Sequence, residues 1–130
     1  GESKKQAEEF FRRGFREFRE GNYLRAIRDF ESAKQHNPTH RLVQVYLDDS
    51  YKAMQEEIKK YLQQGRQSFE SGKLREAKGY YEAVLRQLYR QQTNENYKEA
   101  EQQLIKVNAA LKKTQPGAGS PTELEQEGSG

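Results

Sequence analysis

The same helix-turn-helix signature occurs twice in this chain and limits its fold more than any other feature. The first copy runs Phe10, Gly14, Phe18, Gly21, Asn22, Tyr23, Ala26, Ile27, Phe30, Ala33, Pro38. The second runs Tyr61, Gly65, Phe69, Gly72, Lys73, Leu74, Ala77, Lys78, Tyr81, Val84. In each copy the two Gly are seven residues apart and an Ala follows five further on. A unit repeated in this way cannot bury its apolar face alone and stacks on its neighbours. Stacked helix pairs make grooves for other proteins and seldom make catalytic pockets.

Apolar periodicity predicts an all-α chain with helices over 3–20, 23–36, 40–70, 73–91 and 94–112. Ser3 is expected to cap the first helix and Thr39 the third. Gly21-Asn22 and Ser71-Gly72-Lys73 turn the chain, and Pro38 ends the second helix by disfavouring helical geometry at Asn37. From His40 to Glu70 the stripe Val43, Leu47, Tyr51, Met54, Ile58, Tyr61, Gly65, Phe69 never breaks phase. One long central helix of about 30 residues follows, on the order of 45 Å. Without a Pro at its end, the fourth helix is expected to run on. The polar run Gln91-Gln92-Thr93-Asn94 then breaks the chain before a last helix with Tyr97, Ala100, Leu104, Val107 and Leu111 inward. Residues 1–112 thus form one helical domain. Residues 113–130, rich in Pro, Gly, Ser and Glu, are expected to be disordered.

The repeat extends to the connecting helix. Gly14 and Gly65 are 51 residues apart, while Leu47, Tyr51, Met54 and Ile58 match Ala100, Leu104, Val107 and Leu111 at an offset of 53. The unit is helix, helix, connecting helix, occurring twice.

Charged residues make up 33% and apolar ones 32%, so the core must come from well-placed stripes, much of it from eight Tyr and six Phe. The absence of Cys excludes disulfides, thiolate metal sites and cysteine nucleophiles, and leaves the compartment open. No apolar run approaches the roughly 18 residues of a membrane span, and no signal peptide is visible. The chain opens with Gly1 rather than Met, so an excised piece of a larger protein is expected, a soluble segment from the cytoplasm or periplasm. Net charge is +3, unevenly spread. From Lys113 onward one Lys stands against Glu123, Glu125 and Glu127, a net of −2, which leaves +5 for the residues up to Lys112. That is far from the dense basic stripe of a dedicated nucleic-acid binder.

These residues resemble the tetratricopeptide repeat, a pattern of about 34 residues. It places a large aromatic, a Gly four later, a Gly-x-aromatic turn, a small residue, an aromatic, another small residue and a closing Pro. Ala7 to His40 matches it with Phe10, Gly14, Gly21, Tyr23, Ala26, Phe30, Ala33 and Pro38. Gly14 and Ala26 are small where the helices cross, with Phe10 and Phe30 filling the space on either side. In the second copy, with Tyr61, Gly65, Ala77 and Tyr81 in those roles, Leu74 replaces the turn aromatic, Val84 a small residue and Tyr89 the Pro. The resemblance implies a right-handed stack of about five antiparallel helices that serves as a scaffold for protein–protein interaction. Pairs of such units joined by long helices are similar to repeat segments of multidomain bacterial proteins.

The family's concave wall comes from the first helix of each pair. The resemblance therefore implies groove positions Glu8, Phe11, Arg12, Phe15 and Arg19 in the first copy, and Lys59, Leu62, Gln63, Arg66 and Phe69 in the second. Phe11 and Phe15, flanked by Arg12 and Arg19, can hold the apolar anchor of a peptide with acidic flanks. The competing reading packs them on the long helix or on a further repeat. If the groove reading holds, replacing both with Ser abolishes binding and barely moves the melting temperature. A clamp for a C-terminal carboxylate, which needs Lys and Asn one turn apart on this wall, is disfavoured by Phe11, Phe15, Leu62 and Arg66.

Arg12, Arg13, Arg16, Arg19, Arg25 and Arg28 are interleaved with Glu8, Glu9, Glu17, Glu20, Asp29 and Glu31, which favours a solvated mixed-charge face over a polyanion site. His36 and His40 lack metal-sharing geometry because Pro38 lies between them. Asp48-Asp49-Ser50 sits mid-helix with no convergent His. No phosphate loop, catalytic group, metal site or cofactor site is expected. The chain reads as a non-catalytic adaptor binding a protein or peptide through its groove. The alternatives are a self-association module, giving a homo-oligomer, and a weakly basic module for nucleic acid or anionic membrane.

Overall fold

The computed structural model describes residues 1–114, which form five helices: α1 (Glu2–Arg19), α2 (Tyr23–His36), α3 (Arg41–Glu70), α4 (Leu74–Gln87) and α5 (Glu95–Thr114). There is no strand among the described residues, so the chain is all-α with one long central helix. Contacts divide it into two compact units, Gly1–Glu57 and Ile58–Gly130, where the sequence reading has one domain. The first holds α1, α2 and the start of α3, and the second holds the end of α3, α4 and α5.

The duplication is exact at three helix boundaries. Shifting α2 by 51 gives the bounds of α4, and shifting the end of α1 gives the end of α3. The turns agree in their bonding as well. After α1, Gly21 has φ 82°, Gly21 N–H donates to Phe18 C=O (3.0 Å) and Asn22 N–H donates to Glu17 C=O (2.9 Å). After α3, Gly72 has φ 77°, with the same pair of bonds from Gly72 to Phe69 (3.0 Å) and from Lys73 to Ser68 (2.8 Å). This left-handed glycine cap satisfies two carbonyls that a helix end leaves open.

Each pair closes through a ring lying on a glycine. A Cβ at Gly14 would come within 2.8 Å of the Phe30 ring, and one at Gly65 within 2.9 Å of the Tyr81 ring. Phe30, Tyr81, Ala26 and Ala77 are all fully buried. Phe10 lies outside this crossing: it is half-buried and stacks on His36 with ring centroids 5.6 Å apart. Tyr61, its counterpart, is also half-buried and faces Tyr80 at 6.0 Å.

Four local expectations need correction. Helix α1 starts at Glu2 with Gly1 as cap residue, so Ser3 is inside the helix and caps nothing. Helix α3 is capped by His40, whose Nδ1 accepts the Val43 N–H (3.3 Å), whereas the Thr39 hydroxyl donates to Asn37 (3.2 Å). Helix α4 ends at Gln87 and not at 91, although Tyr89 replaces Pro38. Leu88, only 4% exposed, draws the chain inward there, and two turns follow, Gln91 N–H to Leu88 C=O (2.7 Å) and Asn94 N–H to Gln91 C=O (3.0 Å). The Asn94 side chain then accepts the Asn96 N–H (2.8 Å) and caps α5. Finally, α5 continues through Thr114, so residues 113 and 114 are helical. The rest of the expected disordered tail lies outside the described residues.

Two stability measurements follow. Gly65→Leu should lower the unfolding free energy by about 1–3 kcal/mol in urea titration, because the added side chain meets the Tyr81 ring with no room to shift. Tyr81→Phe should raise it by about 1 kcal/mol, since the buried Tyr81 hydroxyl has no hydrogen-bond partner among the described residues.

Candidate functional site

In the first unit, aromatic side chains from α1 converge on one residue of α3. Tyr46 meets Phe15 edge-on at 5.1 Å, Phe18 at 5.6 Å and Phe11 at 6.1 Å, and it stacks on the buried Phe30 at 6.2 Å. Edge-to-face contacts of this kind add about 0.5–1.5 kcal/mol each beyond burial. Phe11 also stacks on His40 at 5.1 Å. Of the two readings of Phe11 and Phe15, packing on the long helix is what the structure has. Both rings remain half-buried, so one edge of each still faces outward.

The apolar surface continues along α3. Leu42, one turn before Tyr46, is 52% exposed, and Val45 is 50% exposed. Among large apolar side chains of the first unit these two are the most open, and they share a helix face by their three-residue spacing. On α1 Arg12, Arg16 and Arg19 are exposed and lie within one turn of Phe15 by helical spacing, with Arg19 over the Phe15 ring at 5.6 Å. These three Arg form no ion pair with any described residue. Nearby bases are engaged: Arg13 donates to Asp29 at 3.0 Å, and Arg25 lies 3.9 Å from Glu17. Asp48 and Asp49 lie beyond Val45 on α3, so the basic rim is confined to the α1 side.

Glu8, a groove position by sequence, is held by His40. Because His40 Nδ1 accepts from Val43, its proton lies on Nε2, which donates to Glu8 Oε1 at 2.7 Å. Glu8 is therefore an anchor for the α2–α3 connection.

The second unit builds the corresponding place from different chemistry. Leu62, the counterpart of Phe11, is 3% exposed and belongs to the core, so it is no groove residue. Arg66, the counterpart of Phe15, forms a two-pronged ion pair with Glu99, 2.7 Å from Nε and 2.8 Å from Nη2. At the offset of 53, Glu99 stands where Tyr46 stands in the first unit. The Glu99 carboxylate holds the Arg66 guanidinium above its ordinary range, and burial, reinforced by Glu99, raises the Tyr81 phenol. Lys59 and Gln63 are exposed and Phe69 is half-buried. The sequence-derived groove residues thus divide into a half-buried aromatic pair in the first unit and, at the matching positions of the second, a buried Leu62 and an ion-paired Arg66.

The residues that sequence reasoning missed are Tyr46, His40, Leu42 and Val45. A usable signal was present: Leu42 and Val45 are large apolar residues off the buried stripe that contains Val43 and Leu47. Among the described residues no cluster of three or more His, Asp or Glu could hold a metal ion, and no helix is long and apolar enough to cross a membrane. No protein-family model, curated protein or solved structure matches the chain.

Replacing Phe11 and Phe15 together with Ser should now cost roughly 2–4 kcal/mol of stability, since both rings pack on Phe30 or Tyr46. A melting temperature unchanged from the parent would place them outside the core. A second measurement concerns Tyr51, whose hydroxyl donates to Glu31 at 2.9 Å. Burial first, and then this bond, push its pKa up to about 12. Because the folded value lies above the unfolded one, the contribution is complete below the ordinary tyrosine range and is lost as pH rises through about 12. Ultraviolet titration should show late-ionising tyrosines, of which Tyr51→Phe removes one.

Proposed function

We propose that this chain is a non-catalytic protein-interaction module of tetratricopeptide type, and that its ligand is a protein segment with an apolar anchor and acidic flanks. The observation that carries the reading is the surface of the first unit. Half-buried Phe11, Phe15 and Tyr46 continue onto the exposed Leu42 and Val45, beside three Arg that lack an acidic partner among the described residues. Apolar side chains left open to water gain by being covered, and the hydrated Arg beside them steer and orient a partner by charge complementarity.

The chemistry of the face restricts what binds. An aliphatic or aromatic anchor removes Leu42 and Val45 from water, and Glu or Asp beside it meets Arg12, Arg16 and Arg19. A basic peptide would face like charge. Duplex nucleic acid needs a longer basic tract than these three residues, since its affinity comes from many phosphate contacts.

The test uses Arg12, Arg19, Leu42 and Val45, which are exposed, and leaves the packed rings alone. A fluorescent peptide with one Leu flanked by Glu should bind the full chain. Arg12→Glu with Arg19→Glu should weaken it at least tenfold, about 1.4 kcal/mol, as should Leu42→Ser with Val45→Ser. Equal affinity for parent and both variants, with circular dichroism unchanged, rejects the proposal.

A further inference from the structure

Residues 115–130 contain no Lys or Arg, three Glu, and a single large apolar residue, Leu124. Those features coincide in one stretch, Thr122-Glu123-Leu124-Glu125-Gln126-Glu127, where an aliphatic anchor is bracketed by carboxylates. The first unit presents the opposite arrangement: exposed Leu42 and Val45, partly open Phe15 and Tyr46, and the unneutralised Arg12, Arg16 and Arg19 along α1. The chain therefore carries both halves of a complementary pair.

We propose that the aromatic face of the first unit receives residues Thr122–Glu127 of a second copy of this chain. The inference rests on the ligand chemistry of the preceding section and names the chain's own segment as one such ligand. Leu124 supplies the aliphatic anchor for Leu42 and Val45, and Glu123, Glu125 and Glu127 supply carboxylates for Arg12, Arg16 and Arg19. A contact of one aliphatic side chain and three solvent-exposed ion pairs is weak. It therefore forms at high chain concentration and low salt, and leaves the face open to a partner when the chain is dilute.

The absence of Cys allows a direct test. A full-length chain with Ser129→Cys and a nitroxide label is mixed with unlabelled-tail chain enriched in nitrogen-15, at about 1 mM total. Amide signals of Arg12, Phe15, Leu42 and Val45 in the enriched copy should broaden selectively, and the broadening should be lost in about 0.5 M salt, where screening is short-ranged. The same loss is expected when the labelled copy also carries Leu124→Ser, Glu123→Gln and Glu125→Gln. No broadening in the mixed sample overturns the proposal, and so does broadening seen only in a control whose single copy carries both the nitroxide and nitrogen-15, which is contact within one chain. The Leu–Glu peptide is then added to the enriched chain. Shifts at these signals without tail-induced broadening remove the self-recognition and keep the function, whereas silence from both tail and peptide removes both.

Discussion

A missing side chain organises this protein. At Gly14 and Gly65 the lack of a Cβ lets an aromatic ring from the following helix lie directly on the backbone of the preceding one. Phe30 and Tyr81 are each fully buried there. Any larger residue at either position would hold the two helices apart and expose the ring. Everything farther out is placed by that contact, because the depth of the ring decides how near the connecting helix can come. In the first unit it brings Tyr46 within 6.2 Å of Phe30.

From this shared foundation the two units diverge by a single kind of exchange. Where the first unit has Phe15 against Tyr46, the second has Arg66 against Glu99. Both pairs tie the first helix of the unit to its connecting helix. The aromatic version leaves ring edges and three Arg without acidic partners among the described residues. The ionic version satisfies its own charge with a fork-shaped bond, which has directional strength but leaves nothing for an outside group to neutralise. The second unit also buries Leu62 where the first keeps Phe11 partly open. One scaffold thus carries an aromatic contact in the first unit and an ionic one at the matching place in the second.

Much of the fold is legible in the sequence because each helix boundary has a local cause. The glycines of positive φ at 21 and 72 mark two turns unambiguously, and the unbroken stripe from Val43 to Phe69 marks the long helix. The misread ends are those decided by tertiary packing. Tyr89 in place of Pro removes a stop signal, yet α4 still ends at Gln87 because the buried Leu88 turns the chain. His40 caps α3 through a ring nitrogen, a role absent from simple capping preferences. For the site, periodicity finds Phe11 and Phe15 but cannot tell which neighbour covers them. Tyr46 lies one residue before the core position Leu47, so its ring reaches α1 from the edge of the stripe, a detail of direction that spacing alone does not carry.

The open apolar area of the first unit follows from these constraints together. A binding surface needs apolar area that the fold cannot cover and charge that the fold cannot pair. Leu42 and Val45 fall in the first helical turns of α3, at the opposite end of the first unit's connecting helix from its packed Met54. On α1 Glu8 is held by His40, and Asp29 of α2 pairs with Arg13, whereas Glu17 approaches Arg25 only to 3.9 Å. Asp48 and Asp49 stay exposed on α3, and Arg12, Arg16 and Arg19 on α1 form no ion pair with a described residue. A carboxylate from outside would meet those guanidiniums unpaired, which is the physical ground for the acidic flanks of the proposed ligand.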